Sequence, residues 1–103
     1  MDAKLRALAD ETRRHILALV WARERTAGEI ADRFDMTRPA ISQHLGVLLD
    51  CDLIAVRRDG TRRLYSANHQ GMANLRAELE AFWDASLNRL KTDAEAAKAK
   101  RKR

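Results

Sequence analysis

Along most of the chain, apolar residues recur at the three-and-four spacing of helices, and only one short region alternates as strands do. Residues 2–9 carry Leu5 and Leu8 on one side, a segment too short to stand alone. Asp10 is placed to cap a second helix, whose Ile16, Leu17, Leu19 and Val20 form a stripe for burial before the charged residues 23–25, Arg-Glu-Arg, end it. Thr26 followed by Glu29 has the form of a capping box: the hydroxyl accepts from an early backbone N–H while the carboxylate reaches back to the cap. A third helix is expected there over residues 27–34, with Ile30, Ala31 and Phe34 as its apolar contacts. The turn FDMT leads to Thr37, which caps a fourth helix reaching about Asp50. Pro39 falls in its first turn, where a missing N–H costs nothing.

The fourth helix has two distinct faces. Ile41, Leu45 and Leu48 share the apolar side, while Thr37, Arg38, Ser42, Gln43 and His44 crowd polar groups into the first two turns. Two short helices joined by about four residues, the second polar at its start, form a helix-turn-helix pattern. A helix about 10–12 Å across fits the major groove of B-DNA, where side chains near its N-terminus reach the base edges. An ordinary surface helix with a polar outer face is the other reading of this segment taken alone. The alternating stretch follows. Residues 53–58 read as a strand with Ile54 and Val56 inward, Asp59-Gly60 as a hairpin turn, and residues 62–66 as the returning strand with Leu64 inward. A hairpin after such a helix makes a wing. Arg57, Arg58, Arg62 and Arg63 around its tip are suited to phosphates or a neighbouring minor groove, or else they keep an edge hairpin soluble.

The last helix starts near His69 or Gly71 and continues at least to Leu90. Met72, Leu75, Leu79, Phe82, Trp83, Leu87 and Leu90 follow helical spacing over several turns, a longer stripe than a small winged core needs. Pairing with the same helix of a second copy, helped by Leu5 and Leu8, is the expected use of this surface. The fold class expected is mainly α, a winged helix-turn-helix of order α-α-α-α-β-β-α with a long C-terminal dimerisation helix. Residues 1–91 form one DNA-binding and dimerisation domain, and residues 92–103 a basic tail expected to be frayed or disordered.

Composition narrows the partner. With 103 residues the chain has a one-domain length, and 46% hydrophobic with 34% charged residues suits a folded, helix-rich protein. Twenty Lys and Arg against fifteen Asp and Glu give a net charge of +5, which favours a polyanion because basic surface displaces counterions condensed on nucleic acid. Part of that excess lies in the tail AKAKRKR, but four arginines lie in RRDGTRR alone. No run approaches the length of a membrane helix and the N-terminus lacks the apolar core of a signal peptide, so a cytoplasmic protein without membrane contact is expected. The single cysteine, Cys51, cannot supply a four-ligand zinc site or an internal disulfide, and is read as a buried small hydrophobe. Neither a nucleotide-binding glycine loop, nor a cysteine with a placed histidine, nor a carboxylate pair is recognisable, so no enzyme and no cofactor are expected.

LADETRRHIL (8–17), GEIADRF (28–34), MTRPAISQHLGVL (36–48) and VRRDGTRRLYS (56–66) together resemble the ArsR/SmtB family of bacterial winged-helix repressors. The resemblance implies a homodimer paired through its first and last helices, binding double-stranded DNA at an inverted-repeat operator. It implies that Arg38, Ser42 and Gln43 make base and phosphate contacts, flanked by Thr37 and His44. Members that sense metal place two cysteines at positions matching Thr26 and Gly28. Others place carboxylate and histidine ligands on the last helix, at positions matching His69, Gly71, Phe82 and Ala85. Thr26 and Gly28 offer no thiolate, and three of the last four cannot ligate, so the chain resembles members without metal ligands. His69 is read as a helix-start or surface residue, and His15 as structural or phosphate-facing. For such members the resemblance names no inducer, and a small apolar ligand between the helices, a thiol change at Cys51, a partner protein and protein concentration alone are the alternatives for control. Competing classes are a sequence-tolerant architectural DNA-binding protein, with the KRKR tail as its working part, and a protein interaction module built on the last helix.

Overall fold

Side-chain caps divide the chain at the points where the sequence offers them. The computed structural model describes residues 1–101 and orders them as α1 (Asp2–Ala9), α2 (Glu11–Ala22), β1 (Arg25–Thr26), α3 (Ala27–Ala31), α4 (Arg38–Asp50), β2 (Ile54–Asp59), β3 (Arg62–Ala67) and α5 (His69–Arg101). The Asp10 carboxylate accepts from the Arg13 N–H at 3.0 Å, and Thr37 Oγ1 accepts from the Ala40 N–H at 3.3 Å. At the third cap, Thr26 Oγ1 accepts from Glu29 N–H at 3.1 Å and donates to the Glu29 carboxylate at 3.2 Å. The pairing joins the same two residues as a capping box, but Glu29 binds the hydroxyl of Thr26 instead of its backbone N–H.

The apolar stripes converge on one core. Ile16 and Val20 of α2, Ile30 of α3, and Ile41, Leu45 and Leu48 of α4 meet Leu53, Ile54 and Tyr65 there, and all are buried. Leu75 joins them from α5 at 3% exposure, which corrects the expectation that it faces a second copy: its side chain is used up inside its own subunit.

Three further features differ from what the sequence pattern predicts. α3 stops at Ala31 rather than at residue 34, because the next turns narrow to three-residue bonds, Arg33 N–H to Ile30 and Phe34 N–H to Ala31 carbonyls, both at 3.1 Å. The two-residue β1 has no periodicity to betray it, yet it pairs antiparallel with β3, Arg25 opposite Tyr65 and Thr26 opposite Leu64, giving a sheet of order β1-β3-β2. Val56 is 42% exposed rather than inward, because the hairpin runs past the edge of the core that covers Ile54.

α4 ends without a glycine. Leu53 N–H returns to the Leu48 carbonyl and Asp52 N–H to that of Leu49, both at 3.0 Å, with Asp52 at a φ of 58°. This is a Schellman closure, in which aspartate takes the left-handed position more readily than most residues. The Asp52 carbonyl then presses on buried Gly71 in the first turn of α5, where a Cβ would lie 1.7 Å from that oxygen. Backbone cannot yield as a side chain tip can. Gly71→Ala is expected to cost about 1–3 kcal/mol through displacement of α5, read as a lowered midpoint in urea, whereas Gly46→Ala, whose Cβ meets nothing within 4 Å, should be neutral or stabilising.

α5 continues to Arg101, so residues 92–101 are helical where a frayed tail was expected; Lys102 and Arg103 lie outside the described residues. Ala94, Glu95, Ala96, Ala97 and Lys98 explain this, being strong helix formers. A helix of 33 residues is about 50 Å long, and the radius of gyration of 19.8 Å exceeds the ~13 Å of a compact chain of this size. From residue 76 to residue 98 every position of α5 is exposed except half-buried Ser86. Among the described residues no helix is long and apolar enough to cross a membrane.

Candidate nucleic-acid interface

The buried side of α4 determines what its other side presents. With Ile41, Leu45 and Leu48 anchored in the core, Thr37, Arg38, Pro39, Ser42 and Gln43 stand exposed at its amino end. His44 does not: it is half-buried, with its Nδ1 3.3 Å from an Arg13 guanidinium nitrogen, because its place before Leu45 turns it towards α2.

Between this helix start and the wing lies an open cleft of about 580 Å³, lined by Thr26, Gly28, Arg38, Ser42, Arg62 and Arg63, among others. Its dimensions come from the short elements on either side. β1 ties the beginning of α3 to β3, so the amino ends of α3 and α4 and the β3 side of the wing share one concave surface. Gly28 borders Arg38 there: a Cβ at that position would lie 3.4 Å from Nη1 of Arg38, an ordinary contact with the movable end of a long side chain. Thr26, Gly28, Thr61 and Tyr65 were not foreseen as part of this surface; the capping box at Thr26 was legible, but its nearness to Arg38 depends on β1.

The arginines of the wing differ in what holds them. Arg57 is clasped by Glu24 through two bonds of 2.7 and 3.0 Å, which ties β2 to the connection after α2. That hydrogen bond, with the charge of Arg57, holds the Glu24 carboxyl below the usual glutamate range and raises the guanidinium in turn. Arg57 therefore serves to brace the wing, and is less available to an anion than the sequence reading had it. Arg62 lies 3.2 Å from Asp59, an exposed pair of small net worth that a phosphate can displace. Arg58 stands directly opposite Arg63 in the strand register. Like charges at such a position repel, and an anion between them relieves that repulsion. Among the described residues Arg38, Arg58 and Arg63 make no salt bridge.

The other candidate surface lies along α1 and α5. Leu5, Leu79, Phe82, Trp83, Leu87 and Leu90 are 37–64% exposed, while Leu8 and Met72 are half-buried against the core. Cys51 is half-buried rather than buried, its Sγ 3.6 Å from the Ala3 carbonyl. His69 meets Trp21 edge-on at 4.6 Å, and the ring of His15 lies 6.2 Å from that of Phe34. Among the described residues no three His, Cys, Asp or Glu side chains stand together as a metal-binding group.

Comparison with known proteins agrees with this arrangement. A family model described as a helix-turn-helix domain matches residues 8–57. The HTH-type transcriptional regulator Rv2034 of Mycobacterium tuberculosis is 42% identical over 86 residues, spanning 84% of this chain and 80% of that protein. Among solved structures, an ArsR-like transcriptional regulator from Rhodococcus sp. RHA1 superposes with a TM-score of 0.76 at 32% identity, covering 92% of this chain and 90% of that one. The homodimeric winged helix-turn-helix DNA-binding domain Mb0332 from Mycobacterium bovis gives a TM-score of 0.65 at 31% identity, covering 81% and 77%. With helices, wing and sequence in agreement over most of its length, the chain belongs to the ArsR family of winged-helix transcriptional regulators.

Proposed function

We propose that the protein is a dimeric repressor that binds an inverted-repeat operator in the cytoplasm, with no catalytic step. The observation that carries this reading is the cleft in which the exposed amino end of α4 faces Arg62 and Arg63 of the wing. Arg38, Ser42 and Gln43 read base edges in the major groove, with Thr37 and Pro39 at the helix entrance. Arg58, Arg62 and Arg63 neutralise phosphates alongside. A two-fold pair sets its two α4 helices against half-sites about 34 Å apart. The homodimeric neighbour and the apolar stripe of α5 support the pairing.

Release from DNA does not pass through the two metal positions of the family. At the first, the Thr26 hydroxyl is engaged in capping α3 and Gly28 has no side chain. At the second, Gly71 is buried against Asp52, and Phe82 and Ala85 have no donor atom.

The experiment is selection of duplexes from a random pool by the full chain, then competition of the enriched duplex against bulk random DNA near physiological salt. A repressor keeps a preference of about a thousandfold or more. Equal affinity for both would instead support sequence-tolerant coating of DNA, with the basic end of the chain as its working part.

A further inference from the structure

Arg13 lies near the start of α2, outside the cleft, yet its guanidinium reaches two other helices, α1 and α4. Its Nε donates to the Ala7 carbonyl at 2.7 Å and its Nη2 lies 3.3 Å from the Arg6 carbonyl, both in the last turn of α1. Nη1 lies 3.3 Å from Nδ1 of His44, on α4. Arg14 takes the next carbonyls, those of Leu8 and Ala9, at 2.8 and 3.0 Å. Two guanidiniums thus satisfy the carbonyls that the end of α1 leaves free, as cations at a helix C-terminus do favourably, and one of them continues to α4.

The chemistry of the contact restricts His44. Arginine has donors and no acceptor, so in a hydrogen bond across this contact the guanidinium donates and Nδ1 of His44 accepts. His44 follows Ser42 and Gln43 directly in α4, so a restraint on its ring restrains the two exposed side chains before it. α1 also touches the chain just past the other end of α4, through the weak contact of Cys51 Sγ with the Ala3 carbonyl at 3.6 Å. The Arg13 contact is the one nearer the cleft.

We propose that Arg13 is a positioning residue for DNA reading, locking the end of α1 to α4 through His44 so that the helix carrying Leu5 and Leu8 determines how Ser42 and Gln43 are presented. The inference rests on the DNA-binding reading. It assigns half-buried His44 a relay role, where the sequence pattern alone groups it with the base-reading residues.

A double-mutant cycle on the full chain tests it, with His44→Phe, Arg13→Gln and their combination, each measured on the duplex enriched by the wild type, on random duplex, and by sedimentation. Each single variant should lose about tenfold in affinity for the enriched duplex, the worth of one hydrogen bond, with random-duplex affinity and dimerisation unchanged. The double variant should lose no more than the worse single one. His44→Asn, which keeps an acceptor close to the backbone, should recover most of the loss. Losses that multiply to about a hundredfold in the double variant would make His44 a direct DNA contact and overturn the proposal. Should Arg13→Gln melt early, the pair His44→Phe and His44→Asn decides alone, equal affinities contradicting the relay. A wild type that enriches no duplex overturns the DNA-binding reading and this inference together, whereas enrichment with multiplying losses overturns this inference only.

Discussion

Trp83→Glu combined with Leu87→Glu is expected to leave a folded monomer that no longer holds the enriched duplex. Both side chains belong to the stripe on α5 that the core does not use, Trp83 being 62% and Leu87 45% exposed. Neither contributes much to the stability of the single subunit, so circular dichroism and the unfolding midpoint should change little. In a pair they would be covered. Full burial of a large apolar side chain is worth about 1.5–3 kcal/mol, and a two-fold interface counts every residue twice. Carboxylates introduced there would meet their own copies across the axis, uncompensated. Dissociation should move by at least two orders of magnitude, read by sedimentation, with a parallel loss on the enriched duplex because a single subunit engages one half-site. A double variant that still sedimented as a dimer would remove α5 from the interface.

The second large effect is expected at the amino end of α4. Arg38→Ala and Gln43→Ala remove exposed side chains whose backbone is already fixed by the Thr37 cap and by the anchoring of Ile41. The fold should survive both. Each bidentate base contact contributes about 1–3 kcal/mol of discrimination, so affinity for the enriched duplex should fall by about ten- to a hundredfold, with random duplex much less affected. Arg63→Ala should behave differently. It stands opposite Arg58 and lines the cleft, so its removal should weaken binding to any sequence and flatten the salt dependence by about one counterion. Equal losses on both duplexes for Gln43→Ala would place that residue on the backbone of DNA instead of on a base.

Much of this architecture could be read from local chemistry. Asp10, Thr26 and Thr37 mark three helix starts with side-chain oxygens, and the structure has each accepting the expected kind of bond. The wing was announced by Asp59-Gly60, where Gly60 takes a φ of 64°. What escaped depends on contacts between elements distant in sequence. β1 is two residues long and exists because β3 offers an edge to it. The Glu24 clasp on Arg57 joins residues 33 apart, and the Arg13 contact with His44 spans 31. Helical spacing groups Leu75 with Leu79 on one stripe, but only packing shows that the first is spent inside the subunit while the second stays 37% exposed. The same limit applied to His44: its polarity groups it with Ser42 and Gln43 along the sequence, while its half-buried place 3.3 Å from Arg13 of α2 depends on packing between distant elements.

Amide shift perturbation on the isotope-labelled chain, titrated with the enriched duplex, addresses most directly whether α4 and the wing form the reading surface. Groove reading requires the largest changes at residues 37–43 and 58–63, with α5 beyond residue 90 nearly silent. Changes confined to the basic end of α5, with Ser42 and Gln43 unmoved, would contradict it.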